Sequence, residues 1–202
     1  MKKLFLTGLM AAAFLVACEN SKHDSVQEAE SQNEQKMKDS TTMSMALDQA
    51  DEEFAVKLAA GGMEEIELGK LAEEKGMLKE VKEFGKHMVH QHTQLGDELM
   101  AVAKKKNITL PDSLSAEGKK DKEDLMKLKG REFDQKYMGA MVEGHKKVLA
   151  AVEKENADTK DPDMKAFTEK AILMIKEHLQ MAEMTDSLAK AENKGGKKKM
   201  KM

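Results

Sequence analysis

The chain has 202 residues, the size of one folded domain with tails. Charged residues make up 35% and aromatics 3%, with no Trp, one Tyr and two Pro, a composition incompatible with aromatic and β-branched strands and hence with an all-β sandwich or barrel. The formal charge of −3 becomes two units more acidic without Lys2 and Lys3, which argues against a nucleic-acid binder that needs a basic footprint. A single cysteine removes an intrachain disulfide framework, a Cys-based zinc finger and a c-type haem attachment pair.

Residues 1–17 carry two lysines and then an apolar run from Leu4 to Ala17, followed by the only cysteine. This is the pattern of a secretory signal peptide and is too short to span a bilayer. Leu15-Val16-Ala17-Cys18 resembles the bacterial lipobox, which makes Cys18 the expected lipid attachment site and the membrane the expected partner. Several acyl chains on one residue anchor stably where one chain would be marginal. The expected location is therefore the bacterial cell envelope, periplasmic or outer-membrane. Residues 18–45 contain almost no large apolar side chain and read as a disordered tether, because such a composition cannot offset the entropy of ordering.

Four long helical patterns occupy residues 46–190. The first, about Ala46 to Lys75, steps through Phe54, Leu58, Gly61, Leu68 and Ala72; the second, about Leu78 to Lys106, through Val81, Phe84, Met88, Leu95, Leu99 and Val102. Each is a single apolar stripe at helical period, and Gly76 marks the turn between them. Pro111 then blocks further helix, and Ser115 reads as the N-cap of a short extra helix ending near Gly130. The third long helix runs from about Arg131 to Asn156, with Phe133, Tyr137, Met138, Met141, Val148 and Val152 on its stripe. Asp161-Pro162, an N-cap with proline at the first helical position, opens the fourth, to about Lys190, with Met164, Phe167, Ala171, Met174, Ile175 and Ala182 inward. Residues 191–202 read as a Lys-rich disordered tail. The expected fold is all-α, an up-down-up-down four-helix bundle with a short extra helix between helices two and three.

The histidines expose an internal repeat. Met88-Val89-x2-His92, Met141-Val142-x2-His145 and Met174-Ile175-x2-His178 share one spacing. In each, the imidazole follows an inward methionine by four residues and therefore faces the core. The first helix offers Glu65 in the corresponding slot between Gly61 and Leu68. Measured from Gly76, Glu65 and His92 are offset by about five residues, roughly 7 Å along the axis; His92 and His145 stand level across the connection between their helices, and His145 and His178 are offset by about six residues from their shared turn. One carboxylate and three imidazoles suit a tetrahedral transition-metal site for Zn, Cu or Fe. The competing explanation is a hydrogen-bonded polar layer in the core.

The other polar candidates carry less chemistry. His87 and His90 are rotated off the His92 face and read as surface, while His23 falls in the tether. Glu64 and Glu67 sit at the stripe's edges and read as solvated. The 18 methionines read mainly as pliable core filler, although Met88, Met141 and Met174 beside the site histidines would also serve a mixed Met/His copper site. Gly61-Gly62 reads as a point of close helix packing.

Five stretches, GGMEEIELGKLA (61–72), VKEFGKHMVHQH (81–92), LPDSL (110–114), LKGREFDQKYMGAMVEGH (128–145) and DPDMKAFTEKAILMIKEHL (161–179), resemble a bacterial family of envelope proteins labelled as outer-membrane proteins. The likeness covers about Leu47 to Leu188. It implies a ferritin-like four-helix domain of unknown function, with Glu65, His92, His145, His178, Phe133, Asp134 and Tyr137 on the family's recurring motif positions. Di-iron bundles draw Glu-x-x-His from two helices. Here Val89, Val142 and Ile175 stand where those glutamates would be, so di-iron oxidase chemistry loses its support. Three functions compete: an envelope lipoprotein holding one transition-metal ion, a structural or interaction module with a polar core layer, and a metal-dependent enzyme with an open coordination position.

Overall fold

The structure, a computed structural model, describes residues 24–39 and 49–199. Cys18, His23, the leader and residues 40–48 lie outside the described residues. Those described form six helices and no strand: α1 (Ser25–Asp39), α2 (Gln49–Lys75), α3 (Lys79–Lys106), α4 (Ala116–Met126), α5 (Gly130–Asp158) and α6 (Pro162–Lys199). No helix among the described residues is long and apolar enough to cross a membrane.

Local chemistry sets most of the boundaries. Asn107, at φ 60°, closes α3 in the left-handed conformation that asparagine tolerates. Ser115 caps α4 by accepting from the Gly118 N–H at 3.0 Å. Asp161 caps α6, its Oδ1 accepting from Asp163 and Met164 N–H at 3.0 Å each, with Pro162 at the first helical position. Two expectations fail at the ends. The chain from Ser25 to Asp39, expected to be unordered, forms α1, and α6 continues past Lys190 to Lys199. Extending an existing helix avoids the nucleation cost, and Lys is a good helix former.

Helix α1 forms because it binds through polar contacts, which an apolar count does not register. Ser25, Ala29 and Asn33, spaced by one turn, make its buried face. The Asn33 amide brackets Thr109, donating to its carbonyl at 2.9 Å and accepting from its N–H at 2.7 Å. Ser25 Oγ donates to the Ser113 carbonyl at 2.7 Å, and Lys36 to that of Asn107 at 3.0 Å. These are backbone groups of the non-helical stretch after α3, which has no ladder of its own to satisfy them.

Helix α2 packs along α3 and α5 along α6, and the two pairs meet through α3 with α6 and α2 with α5. The α2–α3 contact is closest at Gly69 and Gly85: a Cβ on Gly85 would lie 2.6 Å from the Gly69 carbonyl oxygen, and one on Gly69 2.8 Å from that of Gly85. Gly61 and Gly62 do not serve this purpose. A Cβ on Gly61 meets nothing within 4 Å, and one on Gly62 only His92 Nδ1 at 4.0 Å.

Helix direction departs from the expected alternation. Asp134, near the start of α5, accepts from the N–H groups of Met77 and Leu78 at 2.9 Å each, so α5 starts at the end where α3 starts. At the opposite end Thr159 donates to Asp51 at 2.8 Å, and Lys106 pairs with Asp161 and Asp163. The order is thus up-down-down-up, with α3 and α5 parallel and residues 107–129 returning along the length of the molecule. The up-down-up-down expectation fails because this connection is long enough to cross from one end to the other. Its helix α4 lies against α2 and α5.

Candidate metal centre

The interior is two apolar clusters. One holds Leu68, Val81, Phe84, Met88, Phe133, Tyr137, Met138 and Met141; the other holds Ala55, Leu95, Leu99, Val152, Met164, Phe167, Ala171 and Ile175. Along each helix the sequence position of Glu65, His92, His145 or His178 falls between members of the two clusters. The polar residues therefore form a layer across the middle of the helices rather than an edge.

The layer is dry. His145 and His178 are fully buried, His92 is 5% exposed, and the Glu65 side chain is 16% exposed. One ligand atom from each of His92, His145 and His178 lies within 4.8 Å of the others. The ring centroids are 5.1 Å apart for His92 and His178, 5.5 Å for His145 and His178, and 6.0 Å for His92 and His145. Glu65 joins them, with Oε2 2.8 Å from His92 Nε2 and Oε1 3.5 Å from His145 Nδ1. All four residues singled out in the sequence are brought together.

The hydrogen bonds leave lone pairs over. His145 Nδ1 lies 2.8 Å from the Met141 carbonyl oxygen, a contact that requires the proton on Nδ1 and leaves Nε2 as the acceptor atom. That Nε2 has no hydrogen-bond partner, nor has either ring nitrogen of His178. His92 Nε2 is engaged by Glu65 Oε2 at 2.8 Å. Burial pushes the His178 imidazole down to about 3, with His92 and His145 adding to the effect, so it is neutral near pH 7. Neutral imidazole is the metal-binding form. Burial alone would raise the Glu65 carboxyl, but His92, His145 and His178 more than offset it and hold the group below the ordinary carboxylate range. Such a set of unpartnered ring nitrogens is costly to bury, at ~1–3 kcal/mol for each unsatisfied group. A cation accepting those lone pairs removes the cost. Imidazole nitrogens and a carboxylate oxygen are the donor set of Zn, Cu and Fe sites.

Three further groups surround the layer, and two of them correct the sequence expectation. His87 is half-buried rather than on the surface; its ring lies 5.4 Å from that of His178, edge to face, and its Nε2 is buried without a partner. A step of five residues turns it about 140° from His92, but α3 is flanked by α6 as well as α2, and that angle still meets a neighbour. His90 is exposed, as expected. Glu64 is half-buried instead of solvated, and burial, with Asp121 and Glu65 nearby, pushes its carboxyl up to about 7. The cause is α4, whose Gly118 is covered by the Glu64 side chain, and no local pattern announces that packing. Glu67 stays at the rim, paired with Lys122 at 2.6 Å and Lys70 at 2.7 Å. Tyr137 stacks on Phe133 at 5.9 Å and meets Phe84 edge to face at 6.2 Å. Its buried hydroxyl is unpartnered, and burial together with Glu65 keeps it protonated. Met88 and Met141 belong to the first apolar cluster, in agreement with a filling role.

Neither the curated proteins nor the solved structures contain a match to this chain. A family model does match, over residues 36–185, a span that takes in α2 to α5 whole, most of α6 and all four residues of the polar layer. The chain belongs to the DUF4142 family, a domain of unknown function.

Proposed function

We propose that this protein is an envelope lipoprotein whose helical interior holds one transition-metal ion, Zn, Cu or Fe, through Glu65, His92, His145 and His178. The observation that carries the reading is the set of three buried imidazoles with ligand atoms within 4.8 Å of one another and unpartnered nitrogens. A hydrogen-bonded layer would use those nitrogens on one another or on the backbone. His145 bonds the backbone through Nδ1, the kind of outer contact that orients a ligating ring, while its Nε2 and both nitrogens of His178 are left over.

The four long helices are best read as a ferritin-like bundle, since one full-length crossover between two antiparallel pairs distinguishes that arrangement from a simple alternating bundle. The site differs from the di-iron pattern in having one carboxylate where four would be needed, so the reading is a mononuclear centre for storage, buffering or structural support. The lipid anchor at Cys18 and the envelope location rest on residues 1–18 of the sequence. Loss of membrane association in Cys18→Ala would support them, and unchanged fractionation would remove them.

Metal analysis of protein purified without a histidine tag tests the centre. The expected result is about one ion per chain after desalting, reduced in His145→Ala, with a melting temperature lowered by chelator as for any ligand that binds the folded state alone. Negligible metal in the unaltered chain and a chelator-insensitive melt would leave the layer as a device for helix register, which the 2.8 Å contact of Glu65 with His92 could serve.

A further inference from the structure

Beside the polar layer, between α2, α3, α4 and α5, is a cavity of about 870 Å³, within the size range of pockets that enclose small molecules. Glu65 and His92 reach its wall, whereas His145 and His178 do not. One side of the layer therefore opens on a chamber and the other on packed core.

Two glycines inside long helices, Gly62 and Gly144, stand on the chamber wall without making a close helix contact. Both are half-buried. Each costs roughly 0.5–1 kcal/mol relative to alanine in a helix interior. At Gly69 and Gly85 that cost is repaid by close helix approach, but a Cβ on Gly144 meets nothing within 4 Å and one on Gly62 nothing nearer than 4.0 Å. The second, independent sign is His92, 5% exposed, which lines the same space together with Glu65, its Nε2 2.8 Å from the carboxylate. The rest of the wall combines an aliphatic part, with Leu58, Leu95, Leu99 and Leu110 on the side toward the second cluster, and a charged rim in which lysines such as Lys57 and Lys147 alternate with carboxylates such as Asp97 and Glu143.

We propose that this cavity binds a small amphipathic monoanion, of the medium-chain carboxylate class, whose head completes the metal's coordination beside Glu65 and His92 and whose chain lies along the leucines. The proposal rests on the metal reading for its head group. A divalent ion with one carboxylate and neutral imidazoles carries one uncompensated positive charge, and at a buried centre a monoanion is the ligand that neutralises it. Zinc and its neighbours accept a fifth ligand, so the position need not displace a side chain. Without the ion, Glu65 would instead repel an anion and favour an amine.

Cobalt-loaded full-length protein separates these cases, with octanoate, acetate and octylamine as probes, followed by calorimetry and by the visible spectrum of the metal. The expected result is one octanoate per chain, bound at least about tenfold more tightly than acetate because of its buried chain, with a change in the cobalt spectrum. Gly144→Leu, which fills the cavity at a position with room for it, should retain cobalt and lose about tenfold or more in octanoate affinity. Equal affinity for octanoate and acetate, an unchanged spectrum, or full octanoate binding in Gly144→Leu would each overturn the proposal while leaving the metal reading intact. A chain that keeps no cobalt and prefers octylamine to octanoate would overturn both.

Discussion

Two buried polar regions of this protein obey opposite rules. At the turn between α2 and α3, Asp134 is 1% exposed and both of its oxygens are used, one on Met77 N–H and one on Leu78 N–H. At the layer in mid-helix, His145 and His178 are equally buried, yet three of their four ring nitrogens are unpartnered. The first region closes its hydrogen bonds within the chain and so contributes to the fold. The second leaves ring nitrogens unpaired in one place, which the fold tolerates and does not need. Satisfied burial marks structure here, and unsatisfied burial marks the place where something from outside is expected.

The strongest way to break that comparison is Asp134→Ala. It strands two backbone N–H groups at the start of α3 and should destabilise the protein by ~2–6 kcal/mol at ~1–3 kcal/mol per group, read by urea unfolding. A loss under about 1 kcal/mol would mean that water replaces the carboxylate and that the turn is not a structural anchor. Gly85→Ala comes next. Its methyl has no room against Gly69 and Ala72, so the expected cost is ~1–3 kcal/mol, whereas Gly144→Ala, in open space, should be neutral or slightly stabilising. Equal effects at the two glycines would remove the distinction between close packing and an open wall.

Acid should act on the layer. The folded His178 has its pKa pushed down to about 3, below its ordinary value of 6.5, so the unfolded chain takes up the proton first. Stability of metal-free protein is then fully present above about pH 6.5 and declines as pH falls toward 3, by at most ~1.4 kcal/mol per pH unit from this residue. Denaturant midpoints at pH 7, 5.5 and 4.5 give the slope, and His178→Leu should make it shallower; an unchanged slope would show that other groups carry the acid response. The smallest effect expected is that of the same substitution at pH 7. Removing an unpartnered imidazole in favour of an apolar side chain should change metal-free stability by less than ~1 kcal/mol, in either direction, while lowering metal retention. A loss of several kcal/mol without metal would place His178 with Asp134 among the structural groups.

Much of the layer was legible because it is written in local periodicity. The Met-x3-His spacing fixes the phase of His92, His145 and His178 on helices whose existence follows from their apolar stripes, and phase was enough to turn them inward. His87 escaped because phase relative to one neighbour does not say how many neighbours a helix has. Glu64 escaped because its burial is produced by α4, which belongs to a connection rather than to a long stripe. Helix α1 escaped for a related reason: its partners are backbone groups of residues 107–116, and an amide that brackets a peptide unit leaves no mark in an apolar count.

The chain's own pattern sufficed for the helices, their caps at Ser115 and Asp161, and the inward face of the four layer residues, since each depends on groups within a turn or two of one another. Folding in three dimensions settled the parallel course of α3 and α5, the docking of α1, the division of glycines into packing and open-wall positions, and the chamber beside His92. Those features arise where segments distant in sequence meet. Their energies depend on which backbone atoms and side chains arrive opposite each other, and that is set by the path of the long crossover rather than by any local run of residues.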